Sequence, residues 1–140
     1  MALPVVFLDG DQVGSRMAAE LRRGLYNGEE RKVLSTDELV DFNGSELEDL
    51  IPNQRLVEAV DRIFRAPEQQ FSEVAATGKP IVPQVDAWAK REGIELTPGW
   101  KVEIAKRVKA ILLSKGINDV DDDLLERWVP LFARFEQSVN

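Results

Sequence analysis

Two aspartates one residue apart, Asp9 and Asp11, directly follow the apolar segment Pro4 to Leu8. Carboxylate oxygens are the ligands that hard divalent cations such as Mg²⁺ prefer. Gly10 and Gly14 would let the backbone turn sharply around the two side chains. Open α/β sheets bind ligands where a strand ends and a helix begins, so the pattern favours a metal site there. A polar strand-to-helix turn with an Asp cap remains the alternative interpretation.

A second acidic group follows at Glu46, Glu48 and Asp49, and Leu50-Ile51-Pro52 ends it. In an extended segment, alternation with period two would place Glu46 and Glu48 on one face and Asp49 on the other. That face would offer two more carboxylates. The alternative is a capping and loop segment that precedes the next helix.

Lys101 lies in the first turn of a helix predicted to begin at Trp100. The helix dipole disfavours a cation at this end, which suggests that the lysine has a functional role there. A lysine beside a metal-bound phosphate can neutralise charge that develops in the transition state. A solvated amphipathic helix is the alternative interpretation.

Composition limits the chemistry that is open to this chain. Its 140 residues correspond to one domain, of which 44% are hydrophobic and 31% are charged. The absence of cysteine and histidine leaves carboxylates, lysines and hydroxyls for any catalysis. A net charge of −7 disfavours non-specific electrostatic binding of nucleic acid. Carboxylates that bind a cation can nevertheless attract phosphate once the ion is bound. We expect a cytoplasmic protein with no membrane segment, because no apolar run approaches about 20 residues and no leader pattern opens the chain.

The apolar periodicity predicts the elements that would position these side chains. The run from Pro4 to Leu8 is typical of a strand buried on both faces, and the stretch from Lys32 to Ser35 of a second one. Between them, Ser15 is predicted to cap a helix that Asn27-Gly28 ends, which gives one βαβ unit. Helices are then predicted over 53–64, 69–76, 82–91 and 100–115, with a last one from Asp121 that Pro130 kinks or ends.

Three tryptophans, Trp88, Trp100 and Trp128, each fall on an apolar stripe of a predicted helix. Large amphipathic rings in such positions usually pack in a core or between helices. We therefore predict that they are packing anchors and not a platform on which nucleic acid bases stack.

Taken together, three segments resemble the toprim nuclease domain of the overcoming-lysogenization-defect family of ATP-dependent endonucleases. The segments are Val5 to Gly14, Glu46 to Pro52 and Gly99 to Ala105, and they come in the family's order. The resemblance implies a Rossmann-like toprim fold, here an α/β partial parallel sheet with a helical C-terminal half. It also implies cleavage of DNA with divalent metals, Mg²⁺ or Mn²⁺.

The resemblance further implies a role for each candidate residue. Asp9 and Asp11 match the family's DxD metal ligands, and Glu46 and Glu48 match its later acidic pair, where the family usually has Asp at the position of Glu46. Lys101 matches the family's lysine. The expected catalytic set is therefore Asp9, Asp11, Glu46, Glu48 and Lys101, with the four acidic residues as metal ligands.

Residues 1–115 would form the toprim-like domain, which lacks the family's first strand and its glutamate, and residues 116–140 a C-terminal helical extension. The chain has no GxxxxGK[ST] loop, so any ATPase domain would lie elsewhere. We expect DNA as a partner, together with an ATPase domain or a missing upstream toprim segment. The chain alone should then bind metal weakly and cleave DNA poorly.

Two alternatives of other kinds stay open. The run Asp9-Gly10-Asp11-Gln12-Val13 also resembles the opening motif of haloacid-dehalogenase-like phosphatases, in which Asp9 would be the nucleophile and Asp11 the acid-base. Against it, Asp121-Asp122-Asp123 opens a predicted helix instead of following a strand. The second alternative is an interaction or regulatory module that keeps the toprim shape without its chemistry.

Overall fold

A βαβ unit opens the chain. The computed structural model describes residues 2–66, 68–115, 125, 128–133 and 136. Strand β1 (Val6–Leu8), helix α1 (Gln12–Arg23) and strand β2 (Val33–Ser35) follow one another, and the two strands pair in parallel with Leu8 opposite Ser35. The predicted α/β architecture at the N-terminus is confirmed in this coarse form, as a two-stranded parallel sheet in a mostly helical chain.

The two strands differ in burial. All three residues of β2 are buried, whereas each residue of β1 is half-buried, so the prediction that the first strand is buried on both faces is wrong. Among the described residues β1 pairs with β2 alone, which leaves its outer side partly open to solvent. A small core of Ala18, Tyr26 and Val33 joins α1 to the sheet, and the Tyr26 hydroxyl donates to the carbonyl of Pro4 at 2.9 Å.

The larger core lies among three helices, α2 (Asn53–Ile63), α3 (Ile81–Glu92) and α4 (Trp100–Lys115). Their buried positions follow helical spacing, as the sequence predicts. The buried residues of this core are Leu56, Ala59, Val60, Phe71, Ile81, Val82, Val85, Trp88, Ala89, Ile104, Val108 and Ile111.

Two of the tryptophans, Trp88 and Trp100, pack in the core as predicted. Trp88 is fully buried, contacts Phe71 with 5.4 Å between ring centroids, and donates its indole N–H to the Gln69 carbonyl at 2.8 Å. Trp100 packs against the same core. Trp128 donates to the carbonyl of Leu50 at 3.1 Å.

Two local predictions are wrong, and one open alternative is decided. Asp11, not Ser15, caps α1, which therefore begins three residues before the predicted cap. The predicted helix over 69–76 is only a 3₁₀ turn at Phe71–Glu73, because Phe71 turns into the core and the Trp88 indole takes the Gln69 carbonyl. Of the two interpretations of the acidic segment, the capping and loop segment is confirmed, because Glu46 is the N-cap of a 3₁₀ turn at Leu47–Leu50.

The predicted helix start at Asp121 lies outside the described residues. Residues 128–133, including Pro130, are helical. Within the described part of the chain, no helix is long and apolar enough to cross a membrane.

Candidate metal centre

Three carboxylates from separate segments converge at the end of β1. Asp9 follows the strand, Asp11 is the N-cap of α1, and Glu46 is the N-cap of the 3₁₀ turn at Leu47–Leu50. Each offers one carboxylate oxygen, and the three oxygens all lie within 4.8 Å of one another. The expected meeting of the DxD pair with the later acidic segment is therefore present in the fold, at the carboxyl end of the strand.

The turn at Gly10 holds this arrangement on β2. The Gly10 N–H lies 2.7 Å from the carbonyl oxygen of Ser45 and 2.8 Å from Oγ1 of Thr36. Thr36 and Ser45 are fully buried, and the two hydroxyl oxygens lie 2.7 Å apart. Asp37 closes the network by accepting from both the N–H and the hydroxyl of Ser45. A buried network with satisfied partners of this kind fixes the backbone that carries Asp9.

Asp9 also ties the acidic segment to the strand end, because its Oδ1 accepts the N–H of Leu47 at 2.8 Å. The Asp49 carboxylate makes different contacts. Asp49 is buried and accepts from the N–H of Glu46 at 2.9 Å and of Ile81 at 2.8 Å. The separation of Asp49 from Glu46 and Glu48 was predicted from period two in a strand, but here a 3₁₀ turn produces it.

Lys101 reaches this centre from the start of α4. Its Nζ donates to Glu46 Oε1 at 2.9 Å and lies 3.9 Å from Glu48 Oε1. Burial acts to lower the pKa of Lys101, but the hydrogen bond to Glu46 and the nearby carboxylates outweigh it and raise the pKa. The lysine is therefore fully charged at neutral pH. These carboxylates stabilise it in the first turn, where the helix dipole alone would disfavour it.

Glu48 differs from the other three acidic residues. It is outside the group whose oxygens lie within 4.8 Å. Burial raises its pKa and outweighs the opposing effects of a backbone hydrogen bond and of the Lys101 charge, while the charges of Glu46 and Asp9 raise it a little further. Glu48 thus lies next to the group, where an additional positive charge would favour its ionised form.

The chemistry of this group fits a hard divalent cation. Two oxygens bound to one Mg²⁺ at about 2.1 Å cannot be more than about 4.2 Å apart, so small side-chain rotations would bring the three oxygens into range. Asp9 and Asp11 each use one oxygen to accept a backbone N–H, and a carboxylate keeps further lone pairs for a cation. Asp9, Asp11 and Glu46 are thus the residues that could hold Mg²⁺ or Mn²⁺.

The two glycines of the motif serve a different purpose from the predicted one. Neither Gly10 nor Gly14 has a positive φ, so neither is needed for a left-handed turn. A Cβ at Gly10 would instead collide with the Asp37 carboxylate, and a Cβ at Gly14 would collide with the carbonyl oxygen of Asp9. Close packing requires glycine at both positions.

An apolar groove of about 260 Å³ adjoins the centre. Glu48 and Lys101 form its polar edge, and the half-exposed side chains of Leu47 and Val102 lie along its apolar wall with Ile51 and Ala105. The groove and the carboxylate group therefore share Lys101, which contacts Glu46 on one side and lines the groove on the other.

The supporting residues Thr36, Asp37 and Ser45 were not identified from the sequence. One signal was present, because Thr36 and Asp37 directly follow β2 and therefore lie at the same sheet edge as Asp9. Ser45 could not be found in this way, because an irregular segment carries it back to the strand end.

The chain matches no protein-family model, no curated protein and no solved structure.

Proposed function

We propose that this chain is a divalent-metal-dependent phosphodiesterase that cleaves DNA, of the kind that its resemblance to the toprim nuclease domain implies. The observation that carries the proposal is the approach of Asp9, Asp11 and Glu46 oxygens to within 4.8 Å of one another at the end of a parallel strand. Lys101, hydrogen-bonded to Glu46, adds a fixed positive charge at the same place.

The roles of the residues follow from these contacts. Asp9, Asp11 and Glu46 would hold the cation, which when bound polarises a phosphodiester and makes a bound water more acidic. Lys101 lies close enough to neutralise charge that develops on a phosphate oxygen. Glu48, which adjoins the group, is the candidate ligand for a second cation.

Electrostatics favours a cation before any substrate arrives. Asp9, Asp11, Glu46 and Glu48 face a single lysine, so the centre carries an excess of negative charge. A phosphate placed on the carboxylate group itself would be repelled by this excess until a divalent ion offsets it. The proposal therefore requires that metal binding precede DNA cleavage.

The decisive experiment follows nicking of supercoiled plasmid in Mg²⁺ or Mn²⁺, with metal binding measured by calorimetry on the same samples. Asp9→Asn should weaken metal binding and remove nicking, whereas Lys101→Met should retain metal binding and lose turnover. Asp86→Asn is the matched control, because it removes the same charge from an exposed position of α3. It should behave as the wild type.

Other results would point to the alternatives. Release of phosphate from a phosphomonoester, abolished by Asp9→Asn and without DNA nicking, would assign a haloacid-dehalogenase-like phosphatase. Metal binding with neither activity would assign an interaction module. Metal binding that Asp9→Asn leaves unchanged would refute the centre itself.

A further inference from the structure

Positive charge is concentrated on one helix of this acidic chain. Helix α4 carries five of the 18 basic residues and one of the 25 acidic residues, which gives it a formal charge of +4. The remainder of the chain therefore carries −11. A local positive surface can bind a polyanion even when the net charge opposes it.

The charges are also ordered around the helix. Val102 lies three and four positions before Ala105 and Lys106, which lie four and three positions before Lys109, so these exposed residues share one side of α4. Glu103 and Arg107 lie four positions apart on another side. The pair between Lys106 and Glu103, 3.5 Å apart with both side chains well exposed, is too weak to prevent exchange with a phosphate.

The side with Lys106 and Lys109 continues into the apolar groove. Val102 and Ala105 line that groove together with Lys101, the residue that contacts the carboxylate group. Val102 is 57% exposed and Leu47, which also lines the groove, is 50% exposed. A strip of lysines, an apolar groove and the metal centre thus lie next to one another along the first turns of α4.

This combination fits an unpaired nucleotide better than a duplex. A duplex presents phosphates and base edges but keeps its base faces stacked inside, whereas a single strand can lay a base or sugar against an apolar wall. We infer that single-stranded nucleic acid docks along α4, with its phosphates on Lys106 and Lys109 and one nucleoside in the groove beside Lys101. This inference rests on the proposed function, for which it specifies the form of the substrate.

The test measures binding of a fluorescein-labelled oligothymidylate by anisotropy, in EDTA and at several salt concentrations. Without metal, docking is read separately from cleavage. The double variant Lys106→Gln/Lys109→Gln should lower the slope of log affinity against log salt by about 1.4 and the affinity at 0.1 M salt roughly 25-fold. Arg107→Gln, the control on another side of the same helix, should have the wild-type affinity and slope.

The groove is tested with Ala105→Leu, which adds bulk without charge at an exposed helical position. It should weaken oligothymidylate binding but not binding of inorganic polyphosphate, a polyanion without bases. Wild-type protein should bind the single strand more tightly than a duplex of the same length.

The inference is overturned by no measurable oligonucleotide binding at 50 mM salt, by equal losses in the Arg107→Gln control, or by equal affinity for duplex. Docking that follows the lysines, in a protein that does not nick DNA with any metal, would uphold this surface and refute the proposed function. Metal-dependent nicking that the lysine variants leave unchanged would uphold the proposed function and refute the docking surface on α4.

Discussion

Gly14 provides a sharp test of the strand-to-helix turn. It is the third residue of α1, and its N–H donates to Asp11 Oδ1 at 2.7 Å. Helix propensity alone predicts that Gly14→Ala stabilises the protein by about 1 kcal/mol. The structure predicts the opposite sign, because the added Cβ would collide with the carbonyl oxygen of Asp9.

The size of the effect follows from what the Cβ meets. The obstacle is a backbone atom, and the N–H of the next residue, Gly10, is bound to Thr36 and Ser45, so no side-chain rotation relieves the contact. Overpacking of this kind costs about 1–3 kcal/mol. A displaced Asp11 cap costs about 1 kcal/mol more, which offsets the gain in propensity. The expected net loss for Gly14→Ala is therefore about 1–3 kcal/mol.

Urea unfolding followed by tryptophan fluorescence measures this loss, since Trp88 is fully buried in the native state. Ala19→Gly, at an exposed position of the same helix, calibrates propensity and should cost about 1 kcal/mol. Gly14→Ala should also bind Mg²⁺ more weakly, because the collision moves the backbone between Asp9 and Asp11. A Gly14→Ala protein as stable as the wild type, or more stable, would show that the Asp9 carbonyl does not approach α1 in this way.

Three further predictions concern the same centre. At ten times its Kd, Mg²⁺ should stabilise the wild type by about 1.4 kcal/mol, a rise in Tm of about 4–6 °C in a thermal scan that Asp9→Asn abolishes. Thr36→Val should cost about 1 kcal/mol in urea unfolding, because it removes the hydroxyl's bonds to the Gly10 N–H and to Ser45, while the Gly10 N–H keeps the Ser45 carbonyl oxygen as an acceptor; an unchanged midpoint would contradict the network. Burial raises the pKa of Glu48, so the native state binds its proton more tightly than the unfolded state. Stability therefore falls as the pH rises from the ordinary pKa of a glutamate, about 4.5, through the raised pKa of Glu48 in the native state. Glu48→Gln should therefore stabilise the protein at pH 7, with the advantage disappearing below about pH 4.5 in a series of unfolding curves; a loss of stability at pH 7 would reverse the assigned sign.

The sequence was informative where one local pattern dominates. The apolar run before Asp9 and the helical stripes around Leu56 and Ile104 predicted β1, α2 and α4, because burial of one face decides such elements. The cap of α1 was less certain, since Asp11 and Ser15 both have the chemistry of an N-cap and only the path of the chain selects one of them.

Long-range contacts decided the remainder. The stretch around Phe71 has the composition of a helix, but insertion of that ring beside Trp88 reduces it to a 3₁₀ turn. At the candidate centre, the types and approximate places of Asp9, Asp11, Glu46 and Lys101 could be predicted, but the network of Thr36 and its partners could not. Those side chains meet only after the irregular segment folds back on β2.

The buried Asp49 carboxylate joins two distant parts of the backbone, because it accepts the amide hydrogens of both Glu46 and Ile81. A motion that swings this side chain away releases the two hydrogens together, and each then becomes exchangeable with solvent. The segment that presents Glu46 and the beginning of α3 should therefore open as one cooperative unit. In deuterated buffer the two amides should exchange with the same opening free energy, so that loosening the first turn of α3 also loosens the segment that carries Glu46.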